Sequence, residues 1–192
     1  MTAYTIFGTG NMAGAIGGVL AAGGAPVEHI SHDQGAGATV TGDIVVLAVP
    51  YPAVAEILGA YADQLSGRIV VDITNPLNFE TFDGLVVPVG SSAAAEIQRA
   101  LPGARVLKAF NTNFAATLVS GAVGGSATTV LVAGDDAEAK AALISGVVAG
   151  GLRAIDAGSL ARAHELEALG FLQLALAAGE KISWTGGFAL ND

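Results

Sequence analysis

The chain has 192 residues, a formal net charge of −9 and no cysteine, with 52% hydrophobic and only 13% charged residues. That is enough apolar material for one large core, and it excludes a disulfide framework, a thiol nucleophile and a thiolate metal site. An acidic surface also argues against nucleic acid as a partner, because a phosphate backbone requires basic contacts. In chain order, Tyr4-Thr5-Ile6-Phe7 reads as a short buried strand that runs into Gly8-Thr9-Gly10-Asn11-Met12-Ala13 and then into an apolar helix over 11–23. Strand, G-x-G-x-x-A turn and helix together form a dinucleotide-binding signature. Gly8 allows the turn, Gly10 admits a diphosphate close to the backbone, and the small Ala13 lets the helix sit near the strand. The N–H groups and dipole at the helix start favour the anion.

Further strands are expected at 27–31, 44–49, 69–72, 104–109, 128–133 and 152–156, with a short extended piece at 85–89. Helices are expected at 52–64, 91–100, 113–119, 135–149 and 159–179. The runs Ile44-Val45-Val46-Leu47, Ile69-Val70-Val71 and Thr129-Val130-Leu131-Val132 are short, apolar and bounded by turn residues. Such runs suit strands buried on both faces of a mostly parallel sheet. None approaches the ~18 residues of a membrane span, and no basic leader precedes the first strand, so a cytoplasmic protein with no membrane partner is expected. Only a dozen residues, His32–Asp43, separate the second and third expected strands. The fold class is therefore α/β: a Rossmann-like doubly wound, mostly parallel sheet with the usual second helix and third strand shortened or missing. We expect a single domain over 1–192, its last helix, 159–179, packing on that domain or on a second subunit.

Ligands of open α/β sheets bind beyond the carboxyl ends of the strands. One end is the glycine loop, Gly8, Thr9, Gly10, Asn11 and Met12. A second is Val49-Pro50-Tyr51, expected to lie along the cofactor. A third is Thr74-Asn75-Pro76, whose hydroxyl and amide suit a carboxamide or ribose as readily as they suit a turn. At the end of the second strand stand Ser31, His32 and Asp33. No lysine or arginine precedes Arg68, so a phosphate in this half must rely on backbone N–H groups, hydroxyls, His29 and His32. Glu28 has the spacing of the ribose-binding acid of NAD proteins but falls too early in its strand. Lys108 is read as the partner of a buried acid such as Asp72, or as a cation for an anionic substrate. Asn113 is read as a helix N-cap. His164 lacks the partners of an H-E-x-x-H site, and no metal site or catalytic acid, base or nucleophile is defensible from spacing.

Seven ordered segments carry a resemblance: Ile6–Met12, Leu47–Ala53, Val71–Phe79, Val106–Leu118, Thr129–Asp136, Glu165–Phe171 and Ile182–Ala189. The chain resembles the NADP oxidoreductases that act with the deazaflavin coenzyme F420, in particular a compact bacterial branch of dinucleotide-binding oxidoreductases. The resemblance implies hydride transfer between NADP(H) and F420 within one cleft, with the loop Ala109–Phe114 lining the deazaflavin side. On that basis Phe110 and Phe114 are placed to stack on a flat ring, and Asn111 and Thr112 to contact the second substrate. Ser31 matches the NADP-using members. The next residue is often Arg or Lys in those members and is His32 here, and a free imidazole is mostly neutral at pH 7. NADP is expected as cofactor with NAD possible, a small-molecule acceptor as second substrate, and a homodimer as the assembly. The alternatives are an NADPH-dependent flavin or metal reductase and a dinucleotide-binding sensor without turnover.

Overall fold

The computed structural model describes residues 2–191. Four four-residue strands, β1 (Tyr4–Phe7), β3 (Ile44–Leu47), β4 (Ile69–Asp72) and β5 (Arg105–Lys108), form the parallel centre of the sheet, with β2 (Val27–Ile30) parallel to β1 on its outer side. The full sheet has seven strands in the order β2-β1-β3-β4-β5-β8-β9. Its last members are β8 (Thr129–Gly134), antiparallel to β5, and β9 (Arg153–Gly158), parallel to β8.

Strand alternation divides the core into two layers. Ile44, Val46, Ile69 and Val71 face α1 (Asn11–Ala22), α4 (Ala115–Ser120) and α5 (Ala137–Ala149). Val45, Leu47, Val70 and Val106 face α2 (Tyr51–Leu65), α3 (Ala93–Ala100) and the start of α6 (Ala163–Ala178). A strand buried on both faces has no polar side to mark it, which is why these runs are continuously apolar.

The connection after β2 is a six-residue 3-10 helix, His32–Gly37, so β3 pairs directly with β1. The expected shortening of this region is therefore real. The reversal of β8 has a simple cause. The six-residue α4 spans only about 9 Å, too little to return the chain to the far end of the sheet. A two-stranded turn, β6 (Ala122–Val123) with β7 (Ser126–Ala127), then sends it back down beside β5.

Three expected elements differ. The extended piece expected at 85–89 is reduced to one isolated bridge from Leu85 to Leu77, followed by bends and a turn, because Pro88 with the flanking Gly84 and Gly90 stops any extension. The helix expected at 113–119 begins at Ala115, because the Asn113 amide donates to the Thr129 carbonyl (3.1 Å) and does not cap the helix. The last helix is divided into a 3-10 turn, Leu160–Arg162, and α6. The Leu160 N–H donates to the Asp135 carboxylate (2.9 Å), which turns the chain there. Asp136 caps α5 by accepting from the Ala139 N–H (2.7 Å).

Candidate functional site

Two clefts open at the carboxyl ends of the parallel strands and meet the chain at consecutive residues, Gly10 and Asn11. The first, about 330 Å³, lies between the glycine loop, the end of β2 and α2. Gly8 has φ +115°, and a Cβ there would stand 2.3 Å from the Ala48 carbonyl oxygen, so only glycine fits where the loop crosses β3. Gly10 is different. Its backbone is extended, it caps α1, and a Cβ on it would meet nothing within 4 Å. That open space beside the unpaired N–H groups of the first turn of α1 is what an approaching diphosphate needs. Behind it Gly17 lets α1 press on β2, its missing Cβ lying 2.7 Å from His29 Nε2. His29 Nδ1 lies 3.0 Å from the Gly8 carbonyl oxygen and so braces the loop. It does not line the cleft, contrary to the phosphate-binding part expected of it.

Thr9, Ser31, His32, Val49 and Pro50 line this first cleft with Gly8 and Gly10. Tyr51 does not; its ring turns towards the α2-side core. Burial raises the Tyr51 hydroxyl pKa above the ordinary phenol value, and the charges of Glu96, Asp72 and Glu167 raise it further. Glu28 is engaged elsewhere: its carboxylate accepts from the Thr5 hydroxyl and the Thr41 N–H (3.0 Å).

The second cleft, about 390 Å³, is walled by Asn11, Met12, Ile73, Phe114, Leu174 and Trp184, with Asn75, Asn111 and Asn113 among its polar residues. No side chain that lines it carries a charge. Asn75 and Asn111 clasp one another. Asn75 Nδ2 donates to the Asn111 carbonyl (2.9 Å), and Asn111 Nδ2 donates to Asn75 Oδ1 (2.9 Å) and to the Leu166 carbonyl of α6 (2.7 Å). Gly170 makes this docking possible, since a Cβ there would lie 2.3 Å from Asn75 Oδ1. The Phe114 and Trp184 rings pack with centroids 5.1 Å apart at 53° and form one side of the opening.

Four residues expected to face the second substrate or the cofactor are placed otherwise. Phe110 is wholly buried in the α1-side core at φ +62°, so no ring can stack on it. Thr112 is buried, and its carbonyl accepts from Gln173 Nε2 (3.2 Å). Thr74 and Pro76 are buried and line neither cleft. Asn111 does line the second cleft, but its donors are already committed to Asn75 and Leu166. Sequence reasoning did not single out Trp184 and Glu56 as site residues. Trp184 is the chain's single tryptophan and sits among glycines, a signal that was available. Glu56 lies on an ordinary helix and carries none.

At the ends of β4 and β5 lies a fully buried ionic cluster. Lys108 Nζ donates to Asp72 (2.8 Å), lies 2.9 Å from Glu167 and also donates to the Thr74 carbonyl. Asp72 accepts from the Thr74 N–H (2.8 Å), and Glu167 accepts from the N–H groups of Ala93 (2.9 Å) and Ala94 at the start of α3. Burial pushes the Glu167 carboxyl above the usual carboxylate range, with Lys108 pulling against it. The cluster joins the end of β4, the end of β5, α3 and α6. It fixes the strand ends that carry Asn75 and Asn111. Lys108 is thereby a buried partner of acids and is not available to an anionic substrate.

Residues 28–76, from β2 to the turn after β4, match the family model described as NADP oxidoreductase, coenzyme F420-dependent. The chain is 32% identical over 149 residues to an F420-dependent NADP reductase of Methanocaldococcus jannaschii, covering 76% of this chain and 66% of that one. A crystal structure of a candidate F420-dependent NADP reductase from Arthrobacter sp. FB24 superposes with a TM-score of 0.84 at 26% identity, covering 100% of both chains. The chain belongs to the F420-dependent NADP oxidoreductase family. It is also 38% identical over 112 residues to the metalloreductase STEAP3 of Rattus norvegicus, covering 58% of this chain but 22% of the rat protein. It thus spans about two-thirds of the archaeal reductase's length and about a fifth of the rat protein's. The family assignment agrees with the sheet: β1, the glycine loop and α1 stand where a doubly wound fold places its dinucleotide. Among the described residues no group of three or more His, Asp or Glu could hold a metal ion, and no helix is long and apolar enough to cross a membrane.

Proposed function

We propose that this protein is a nicotinamide-dependent oxidoreductase that moves hydride between NADP(H) and coenzyme F420 or a related small acceptor, with NAD(H) also accommodated. The observation that carries the reading is the pair of clefts meeting at Gly10 and Asn11, one beside an open glycine loop at a helix start and one uncharged and amide-lined. The names of the archaeal and Arthrobacter relatives support the choice of both substrates. Bound NADPH supplies a hydride from its nicotinamide ring. The chain supplies position and surroundings. The glycine loop and the first turn of α1 hold the diphosphate; Thr9, Ser31 and His32 face the adenosine ribose; Val49 and Pro50 wall the dinucleotide.

Asn11, Met12 and Asn75 border the nicotinamide end in this reading, and Asn111 orients the acceptor side through its clasp with Asn75. Phe114 and Trp184 shield the reacting rings from water, which matters because orientation and exclusion supply most of the rate in such a transfer. The lining of the second cleft offers no acid or base, in keeping with a reaction whose chemistry belongs to its cofactors. We place the activity in the cytoplasm and assign it to a homodimer, with the exposed Leu172 of α6, Trp184 and Phe188 as the apolar surface that supports pairing.

NADPH oxidation followed by absorbance, with F420 as acceptor, tests the proposal directly. Saturable turnover with F420 is expected, and binding of NADPH without turnover by any acceptor would refute the enzymatic reading. The likeness to the rat metalloreductase supports a second reading, in which a flavin or a flavin-reduced ferric chelate is the acceptor. Turnover with free flavin but not with F420 would favour it.

A further inference from the structure

The rim of the first cleft holds a charged group that the dinucleotide reading leaves unexplained. Glu56 stands on α2, opposite the end of β2, and lines the cleft with Ser31 and His32. Its Oε1 lies 3.8 Å from His32 Nε2, and both side chains are largely exposed, 73% and 84%. Whatever His32 touches at the ribose is therefore within reach of a carboxylate. The usual ribose-binding acid would sit at the end of β2. Here that position is His32, and Glu28, earlier in the strand, is spent on Thr5 and Thr41. The missing second helix brings α2 against the 3-10 turn, so an acid can reach the same place from the opposite wall.

No lysine or arginine lines the cleft to offset it. Arg68, the first arginine of the chain, spends its guanidinium on the carbonyls of Gln64, Gly42 and Val40. Asp33, exposed and next to His32 in the chain, adds no positive charge either. We propose that Glu56 is the specificity-determining residue for the 2′ position of the adenosine ribose: its carboxylate accepts a hydrogen bond from a free 2′-hydroxyl and repels a 2′-phosphate. NAD(H) is then bound about as well as NADP(H), in a family whose model is named for NADP.

The proposal rests on the dinucleotide reading of the first cleft, and the test separates the two. Dissociation constants for NAD and NADP are measured by calorimetry for the wild type, Glu56→Gln and Glu56→Lys at low ionic strength. At this exposure neither substitution threatens the fold. A carboxylate facing a phosphate dianion across a water-filled rim is worth about three- to ten-fold in affinity. In Glu56→Gln, NADP is expected to tighten by that factor while NAD weakens about two-fold. In Glu56→Lys the preference for NADP should rise about ten- to hundred-fold, and raising the salt to about 1 M should erase most of the gain. A ratio of the two constants that moves by less than about two-fold in both variants overturns the assignment. So does an equal tightening of both nucleotides, which would mean that Glu56 senses only the diphosphate they share. Failure of the wild type to bind either nucleotide would instead sink the dinucleotide reading, and this proposal with it.

Discussion

Replacing Lys108 with methionine probes the ionic cluster at the ends of β4 and β5. Methionine keeps most of the length and apolar bulk of lysine, so the change removes chiefly the charge and its three hydrogen bonds. All three members of the cluster are 0% exposed. The variant leaves Asp72 and Glu167 buried without a counter-charge and the Thr74 carbonyl without its donor. Breaking a buried pair by removing one partner costs about 3–5 kcal/mol. For a chain of this size each kcal/mol lowers Tm by about 2–4 °C, so a fall of about 6–20 °C is expected. The pH dependence is a sharper test. The folded state raises the Glu167 pKa by burial. A carboxyl raised on folding contributes stability that is present below its unfolded value and is lost as pH rises through the folded value. Without Lys108 the burial remains and the opposing attraction is gone, so that loss should deepen. Urea unfolding should show Lys108→Met less stable relative to wild type at pH 8 than at pH 5. Adding Glu167→Gln should recover about 1–3 kcal/mol, because a buried charge then disappears. A destabilisation below about 1 kcal/mol, or one equal at both pH values, would refute the claim that the cluster is dry and that Lys108 offsets its buried carboxylates.

The glycine loop predicts a contrast between neighbours. Gly10→Val should still fold, losing no more than about 1 kcal/mol from a poorer N-cap because its Cβ meets open space, yet lose dinucleotide binding by calorimetry; Gly8→Ala should cost at least about 1–3 kcal/mol from backbone strain alone, because its φ of +115° and the Ala48 carbonyl at 2.3 Å exclude a Cβ. Trp184→Ala should lower turnover about ten-fold or more while leaving the NADPH dissociation constant within about two-fold, as judged by steady-state rates beside direct titration. Equal losses in both quantities would place the indole at the dinucleotide.

The parallel half of the fold was legible because its signals are local. Apolar runs of four residues between turn residues, a glycine loop at the start of α1, and a gap too short for a helix and a strand each fix structure within a few positions. What was not legible depends on partners far along the chain. The reversal of β8 follows from the length of α4 and from a two-residue hairpin, and neither has a strong signature. Asn113 has the composition of an N-cap, yet Thr129, sixteen residues on, claims its amide. Phe110 and Phe114 looked alike as ring partners. The positive φ of Phe110 turns it into the core, while Phe114 stays at the cleft with Trp184, seventy residues away. Lys108 and Asp72 could be paired from their strand ends. The third member, Glu167, required knowing that α6 crosses those ends.

The distribution of cations explains why the two clefts have their character. Lys108 is sealed in the core cluster, Lys140 is bound to Asp156, Arg99 to Glu96 and Arg162 to Glu165, while Arg68 and Arg105 cap carbonyls. None of these lines either cleft. In the proposed reading an anionic dinucleotide is held by groups that carry no formal positive charge: the N–H groups of the first turn of α1, the hydroxyls of Thr9 and Ser31, and whatever His32 contributes. Such a site recognises shape and backbone geometry first and charge second. That is why the carboxylate of Glu56 carries weight here that it would lack beside an arginine. The second cleft extends the same logic. Of its amides, Asn75 and Asn111 are locked to one another and to α6 and Asn113 to β8, so in the proposed reading it orders a flat ring without presenting a charged side chain. The fold thus keeps its strongest electrostatics below the site, where the cluster sets the strand ends in place, and leaves the reacting surfaces nearly neutral.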